Sequence, residues 1–136
     1  MLSQLEICRE NQLCIWRISG SATVQEICDG YAQRFSHPDW EPGLQSLTVI
    51  NNLALGIFTP DAAGEIMKFI RDCDIAHKHV GRRGALVCSD DLSQALLTYW
   101  EHRGSSEMER SERAFATEAE ALAWLRRSRL EEQRAA

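Results

Sequence analysis

Short apolar runs typical of β-strands alternate with amphipathic helical stretches along almost the whole chain. Two β-prone runs, at residues 5–9 and 13–18, flank the polar residues 10–12, which is the pattern of a β-hairpin. Further strands are predicted at Leu47–Ile50, Gly84–Cys88 and Glu107–Phe115, each with a helical stripe before and after it. Strands alternating with helices pair in parallel through right-handed crossovers. The sequence therefore predicts an α/β fold of order ββαβαβαβα, with a mostly parallel sheet and an N-terminal hairpin strand.

Three patterns mark where helices begin. Thr23 with Glu26, and Thr117 with Glu120, have the spacing of a capping box, in which two side chains satisfy backbone donors of the first turn. Thr59–Asp61 combines a cap, a first-turn proline and an acid that suits the helix dipole. These signals place helix starts directly after three of the loops.

The 136 residues fit one domain, since domains usually have roughly 100–200 residues. We expect a single α/β domain over residues 1–125 and a charged tail, fraying at its end, over residues 126–136. The net charge of −5 argues against a nucleic-acid partner, because phosphate binding needs a basic surface. No apolar leader and no apolar run of the length needed for a transmembrane segment is present in the sequence. Five cysteines without a Cys-x-x-Cys pair predict reduced thiols and a cytoplasmic location.

The motifs of catalysis and cofactor binding are missing from the sequence. It contains no Gly-x-Ser-x-Gly elbow, no Gly-rich phosphate loop and no dinucleotide fingerprint, so we expect no cofactor. Cys73 and His77 share a helix face, with His79 close by, but no second cluster completes a zinc site. We expect no metal and no catalytic residues.

One positional argument points to a ligand or partner site. In open α/β sheets, ligands bind beyond the carboxyl ends of the strands, and polar residues follow those ends here. Two tryptophans outside the strands are further candidates for a pocket lip or a partner surface. The candidate residues are Asn51, Asn52, Thr59, Ser89, Asp90, Trp40 and Trp100. The alternative is that the polar ones are helix caps and turn residues.

The pattern as a whole resembles the bacterial STAS-like family, which is related to the sporulation anti-sigma-factor antagonist and has a fold similar to the CRAL-TRIO lipid-transfer fold. The resemblance runs from about Gly20 to Leu125. Its most specific parts are the Pro-Asp-Trp-x-Pro-Gly turn at residues 38–43 and the Ala-Leu-Ala-Trp-Leu ending at residues 121–125. Other segments that carry it are Phe35, Asn51–Asn52, Thr59–Asp61, Arg83–Val87, Ala114–Phe115 and Glu120.

The resemblance implies a superhelix of four βα units preceded by an extra strand, and a small cytoplasmic regulator that switches protein partners. Family antagonists carry Asp-Ser-Ser/Thr-Gly after the third strand, where the serine is phosphorylated. The matching stretch here is residues 51–56, Asn-Asn-Leu-Ala-Leu-Gly, which has no hydroxyl group. We therefore expect no phosphoserine switch of the family kind.

The leading hypothesis is a non-enzymatic regulatory or binding domain that acts through a protein partner or a small apolar ligand such as a lipid. The alternative is a small enzyme that uses polar residues at the carboxyl edge of the sheet, with Asp90 or Asp91 and Asn51 or Asn52. A homodimer is a third hypothesis, because the second β-prone run is apolar on both of its faces.

Overall fold

The computed structural model describes residues 1–53, 59–79, 83–88, 97–104 and 111–135. The strands are β1 (Leu2–Cys8), β2 (Leu13–Gly20), β3 (Gln45–Leu53), β4 (Arg83–Val87) and β5 (Ser111–Phe115). The helices are α1 (Val24–Ala32), α2 (Pro60–Ala76), α3 (residues 97–104) and α4 (Glu118–Ala135), and α1 continues as a 3₁₀ turn over Gln33–Ser36. The predicted α/β class, with its mostly parallel sheet, is confirmed.

The five strands form one sheet in the order β1-β2-β3-β4-β5. β1 is antiparallel to β2, which confirms the hairpin, and β2 to β5 are parallel to one another. The register of β2 against β3 shifts between Ser19 and Gly20. Gly20 has a φ of +83°, a left-handed conformation that glycine adopts without steric cost. The chain can therefore leave the sheet at Gly20 and enter the loop before α1.

The sheet has a different covering on each face. Trp16, Ile18, Ile50 and Leu86 point to the face that packs against α1, α2 and α3. The alternate residues, including Leu47 and Val87, point to the other face and pack against α4. On this second face, α4 contacts mainly β3, β4 and β5. The part of the face that belongs to β1 therefore lies to one side of the helix.

The predicted helix starts are confirmed by their hydrogen bonds. Thr23 and Glu26 form both halves of a capping box, and the Thr59 hydroxyl accepts from the Ala62 amide at 3.1 Å. The Thr117 hydroxyl accepts from the Glu120 amide at 3.2 Å and donates to the Glu120 carboxylate at 2.9 Å. Local sequence therefore sets the beginning of each of these helices.

The end of the chain differs from the sequence prediction. Residues 126–135 continue α4, where a fraying charged tail was predicted. The reason is a contact between distant segments: the Ser128 hydroxyl, 1% exposed, accepts a hydrogen bond from Arg83 in β4 and donates one to the Trp124 carbonyl. This half of α4 is thereby held against the sheet. The predicted strand at Glu107–Phe115 begins at Ser111 within the part described, and residues 107–110 lie outside it.

Candidate ligand-binding groove

A groove of about 370 Å³ runs between α4 and the first residues of β2 and β3. It lies on the face of the sheet that α4 covers in part. Its lining combines small and apolar side chains with amides and guanidinium groups: Asn11, Leu13, Gln45, Ala119, Leu122, Ala123, Leu125, Arg126 and Arg129. This size falls at the lower end of the roughly 300–1,000 Å³ typical of small-molecule sites.

Helical and strand periodicity bring these residues together. Leu122 lies three and four residues before Leu125 and Arg126, and Arg129 lies four and three residues after them, so all four share one side of α4. On the sheet, Leu13 pairs with Gln45 in the β2–β3 register, so both side chains point to the same face. The two small residues Ala119 and Ala123 leave the space between helix and sheet open.

Two buried donors in this groove have no hydrogen-bond partner within the described part of the chain. Gln45 is only 4% exposed, and its Nε2 makes no hydrogen bond there; the same holds for Nε of Arg129. Leaving a buried donor unsatisfied costs about 1–3 kcal/mol, and most buried polar groups in proteins are paired. Both side chains belong to the lining of the groove.

The groove is positively charged in an acidic protein. Its described lining contains Arg126, which is exposed, and Arg129, which is half-buried, and no acidic residue, whereas the chain carries a net charge of −5. Guanidinium groups bind carboxylates and phosphates through paired, charge-assisted hydrogen bonds. Asn, Gln, Ala and Leu side chains have no titratable group, and arginine keeps its positive charge in proteins. This lining can therefore hold an anion but cannot itself supply acid–base chemistry.

A second, smaller groove of about 260 Å³ lies over β1 and β2, lined by Gln4, Leu5, Glu6, Ile15 and Arg17. Arg17 and Leu13 are on the same face of β2, so both grooves follow this strand. The Arg17 guanidinium donates to the Glu118 carboxylate at 2.8 Å. This hydrogen bond raises the pKa of Arg17 and lowers the pKa of Glu118. Arg17 is therefore paired with Glu118 of α4, whereas Arg126 and Arg129 line the larger groove.

The residues predicted from the carboxyl edge of the sheet are placed only in part. Asn51 is exposed near the end of β3 and pairs with Ser19. Asn52 belongs to the same strand, but its side chain is outside the described part, as are Ser89 and Asp90. Thr59 is the N-cap of α2, in agreement with the alternative that it is a capping residue.

The two candidate tryptophans lie in different surroundings. Trp40 stands in the loop before β3, where its ring packs edge-on against Phe35, with centroids 5.0 Å apart, and against His77 and His79, both at 5.8 Å. Trp100 is buried in the core between the sheet and the helices of the first face. Neither belongs to the lining of the α4 groove.

The cysteine and histidine pair noted in the sequence makes local contacts. Nδ1 of His77 lies 2.8 Å from the Cys73 carbonyl, and its ring stacks on Phe35 at 3.9 Å. Burial raises the pKa of the Cys73 thiol and of the Cys28 thiol, which keeps both protonated and weakly nucleophilic. Among the residues that the structure describes, no group of three His, Cys, Asp or Glu side chains is arranged to hold a metal ion.

The groove residues Asn11, Gln45, Arg126 and Arg129 were missed by the sequence analysis. The signal available for the arginines was the Leu-x-x-Leu-Arg-x-x-Arg spacing at residues 122–129, which places two leucines and two arginines on one side of a helix. No comparable signal exists for Gln45, because its burial depends on the strand pairing.

Comparison of the chain with protein-family models, with curated proteins and with solved structures finds no significant match. In the described ranges, none of the helices combines the length and apolar character needed to span a membrane.

Proposed function

We propose that this chain is a non-enzymatic binding domain that holds an anionic ligand in the α4 groove. The observation that carries the proposal is the pair of buried, unpartnered donors, Gln45 Nε2 and Arg129 Nε, in a groove with two arginines and no acid in its described lining. Because both atoms are buried, a bound anion would accept from them once the two side chains turn toward the groove, and it would thereby remove the cost of leaving them unsatisfied.

A regulatory role of the STAS-like kind is part of this proposal. It is supported by the sequence resemblance and by the order of the sheet, in which each parallel strand lies beside the next one in the chain. In this role, a ligand bound in the groove would alter how the domain binds a protein partner. A cytoplasmic location is proposed with it, and is supported by the five cysteines, all of which are free thiols.

Native mass spectrometry of the protein purified from its own cell tests the proposal. Three samples are compared: the unchanged chain, the double variant Arg126→Gln/Arg129→Gln, and Arg127→Gln, an exposed neighbour on the same helix that does not line the groove. We expect a bound species on the unchanged chain and on Arg127→Gln, and its loss from the double variant. A bare chain in all samples, or equal retention by the double variant, would contradict the proposal.

Self-association is a further proposal for the half of the sheet that lies beside α4. Leu2 is 75% exposed and Ile15 is half-buried, so a second copy of the chain could cover apolar surface on β1 and β2. Sedimentation velocity over a range of concentrations measures this directly. A dimer whose association is weaker in Ile15→Lys would support the proposal. A protein that is monomeric at the highest concentration would contradict it.

A further inference from the structure

We propose that the ligand of the α4 groove is a small organic monocarboxylate with an apolar chain or ring. The inference rests on the proposed function and adds the chemical class of the ligand. It follows from three properties of the groove: the number of its buried donors, the nature of its remaining walls, and its volume.

The buried donors match one carboxylate. Gln45 Nε2 and Arg129 Nε are two donors, and a carboxylate has two oxygens that each accept from a guanidinium or amide group. Inorganic phosphate could use the other N–H groups of the two arginines, but it has no apolar part to pack against the leucine side chains of the groove. Arg126, which is exposed, adds a second positive charge at the mouth of the groove without being desolvated.

The other walls match an apolar body. Leu13 and Leu125 are buried, Leu122 is 40% exposed, and Ala119 and Ala123 line the helix side. An apolar chain laid along these residues would cover Leu122 and remove its own surface from water, which is favourable in proportion to the area buried. A bare inorganic anion would leave this wall exposed.

The volume limits the size of the ligand. A groove of about 370 Å³ that is open to solvent fits a molecule of the size of octanoate or 3-phenylpropanoate, with on the order of ten heavy atoms, at the lower end of known ligand sites. A long diacyl lipid would extend far outside it.

Isothermal titration calorimetry with matched probes tests the inference. The probes are octanoate and 3-phenylpropanoate, their neutral amides, acetate and inorganic phosphate. We expect at least one of the two larger carboxylates to bind, and its amide to bind roughly tenfold more weakly or worse, because a charge-assisted hydrogen bond is lost. Acetate, which lacks the apolar body, and phosphate should bind more weakly than the larger carboxylate.

Variants of the groove supply the second readout. Arg129→Gln should weaken the carboxylate roughly tenfold or more and weaken the neutral amide by a smaller factor, and Arg127→Gln should change neither. Circular dichroism melting of each variant verifies that it is folded. Equal affinity of acid and amide, tighter binding of phosphate, or full binding by a folded Arg129→Gln variant would overturn the inference.

The two proposals fail in different ways. If the larger carboxylates do not bind but another anion or an acidic protein segment is held and is released by Arg126→Gln/Arg129→Gln, the carboxylate inference is wrong and the binding function stands. If the protein from its own cell carries nothing that depends on these arginines, the binding function falls as well.

Discussion

Arg34 illustrates how this fold holds a positive charge in its interior. The side chain is 1% exposed, and its guanidinium donates to the Tyr31 carbonyl and to the Ser46 hydroxyl, both at 3.0 Å. It also lies over the Tyr31 ring, 3.8 Å from the centroid. The Tyr31 hydroxyl in turn donates to the fully buried Asp74 carboxylate at 2.5 Å. One tyrosine therefore contacts a buried guanidinium group with its ring and a buried carboxyl group with its hydroxyl.

Tyr31→Phe separates these two roles, because the ring stays and the donor to Asp74 is lost. We expect the free energy of unfolding to fall by about 1–3 kcal/mol, because a hydrogen bond to a buried carboxyl group is lost. Urea denaturation measures the change. Tyr99→Phe is the control: this side chain is 42% exposed and its hydroxyl accepts an exposed hydrogen bond from Arg103 at 3.0 Å, so the variant should stay within about 0.5 kcal/mol of the unchanged protein. Equal effects of the two substitutions would contradict this account.

The ion pair between Arg17 and Glu118 makes a small, pH-dependent contribution to stability. Its hydrogen bond lowers the pKa of Glu118 in the folded state. A lowered carboxyl pKa contributes stability that is complete above the unfolded value, about 4.3, and that is lost as the pH falls through the folded value. Both side chains are more than a third exposed, so we expect Arg17→Gln to cost about 0.5 kcal/mol at pH 7.

Urea denaturation at pH 7 and at pH 2.5 measures this difference. The gap in the free energy of unfolding between Arg17→Gln and the unchanged protein should narrow at the lower pH, because protonation of Glu118 removes its charge from the pair. Arg127→Gln should show no such change. A gap that stays constant or widens in acid would argue that the pair does not stabilise the fold.

At the scale of elements, the close approach of α1 to the sheet depends on Gly30. A Cβ atom at this position would lie 2.9 Å from Cζ2 of Trp16, which is closer than side chains pack. Trp16 has little freedom to move away, since it is buried in the core and its indole donates to the Ser3 hydroxyl at 2.8 Å. Helix propensity and packing therefore predict opposite effects on stability when Gly30 is replaced by alanine.

Gly30→Ala tests which effect is larger. Propensity alone predicts a gain of about 1 kcal/mol in a helix interior, whereas overpacking costs about 1–3 kcal/mol, so we expect a net loss of stability. Gly43→Ala is the matched control, because no atom lies within 4 Å of a Cβ built there. Thermal melting compares the two, and a gain of stability in Gly30→Ala would show that α1 can move.

The second half of α4 depends on Ser128 in a similar way. Its hydroxyl links Arg83 of β4 to the Trp124 carbonyl, so Ser128→Ala should reduce the free energy of unfolding by about 1 kcal/mol. Ser111→Ala, at an exposed position of β5, serves as the control. If Ser128→Ala matched the control, the contact would not be what holds residues 126–135 to the sheet.

The sequence predicts a helix or strand well when residues close to one another in the chain determine it. The hairpin follows from two β-prone runs joined by a short polar connection, and the caps at Thr23 and Thr59 follow from residues within three positions of each other. The extension of α4 past Leu125 could not be predicted in this way, because it depends on Arg83, 45 residues from Ser128. Likewise, nothing near Arg34 in the sequence marks it as buried, since its partner Ser46 belongs to the next strand.

At the scale of the whole molecule, an uneven distribution of helices creates the groove. Within the described ranges, three helices pack on one face of the sheet and one, α4, packs on the other, and α4 lies over β3 to β5. The sequence analysis looked for a site at the carboxyl ends of the strands, where Asn51 lies and where Ser89 and Asp90 are outside the described residues. The α4 groove instead joins Leu13, Gln45 and Arg129, which only the folded chain brings together.

Amide chemical-shift mapping of the ¹⁵N-labelled protein during titration with octanoate tests the central claim most directly. The account predicts saturable shifts confined to residues 11–13, to Gln45 and to residues 119–129, and their loss in Arg126→Gln/Arg129→Gln but not in Arg127→Gln. Shifts centred instead on Asn51 and Thr59, or no shifts at any concentration that keeps the protein folded, would contradict it.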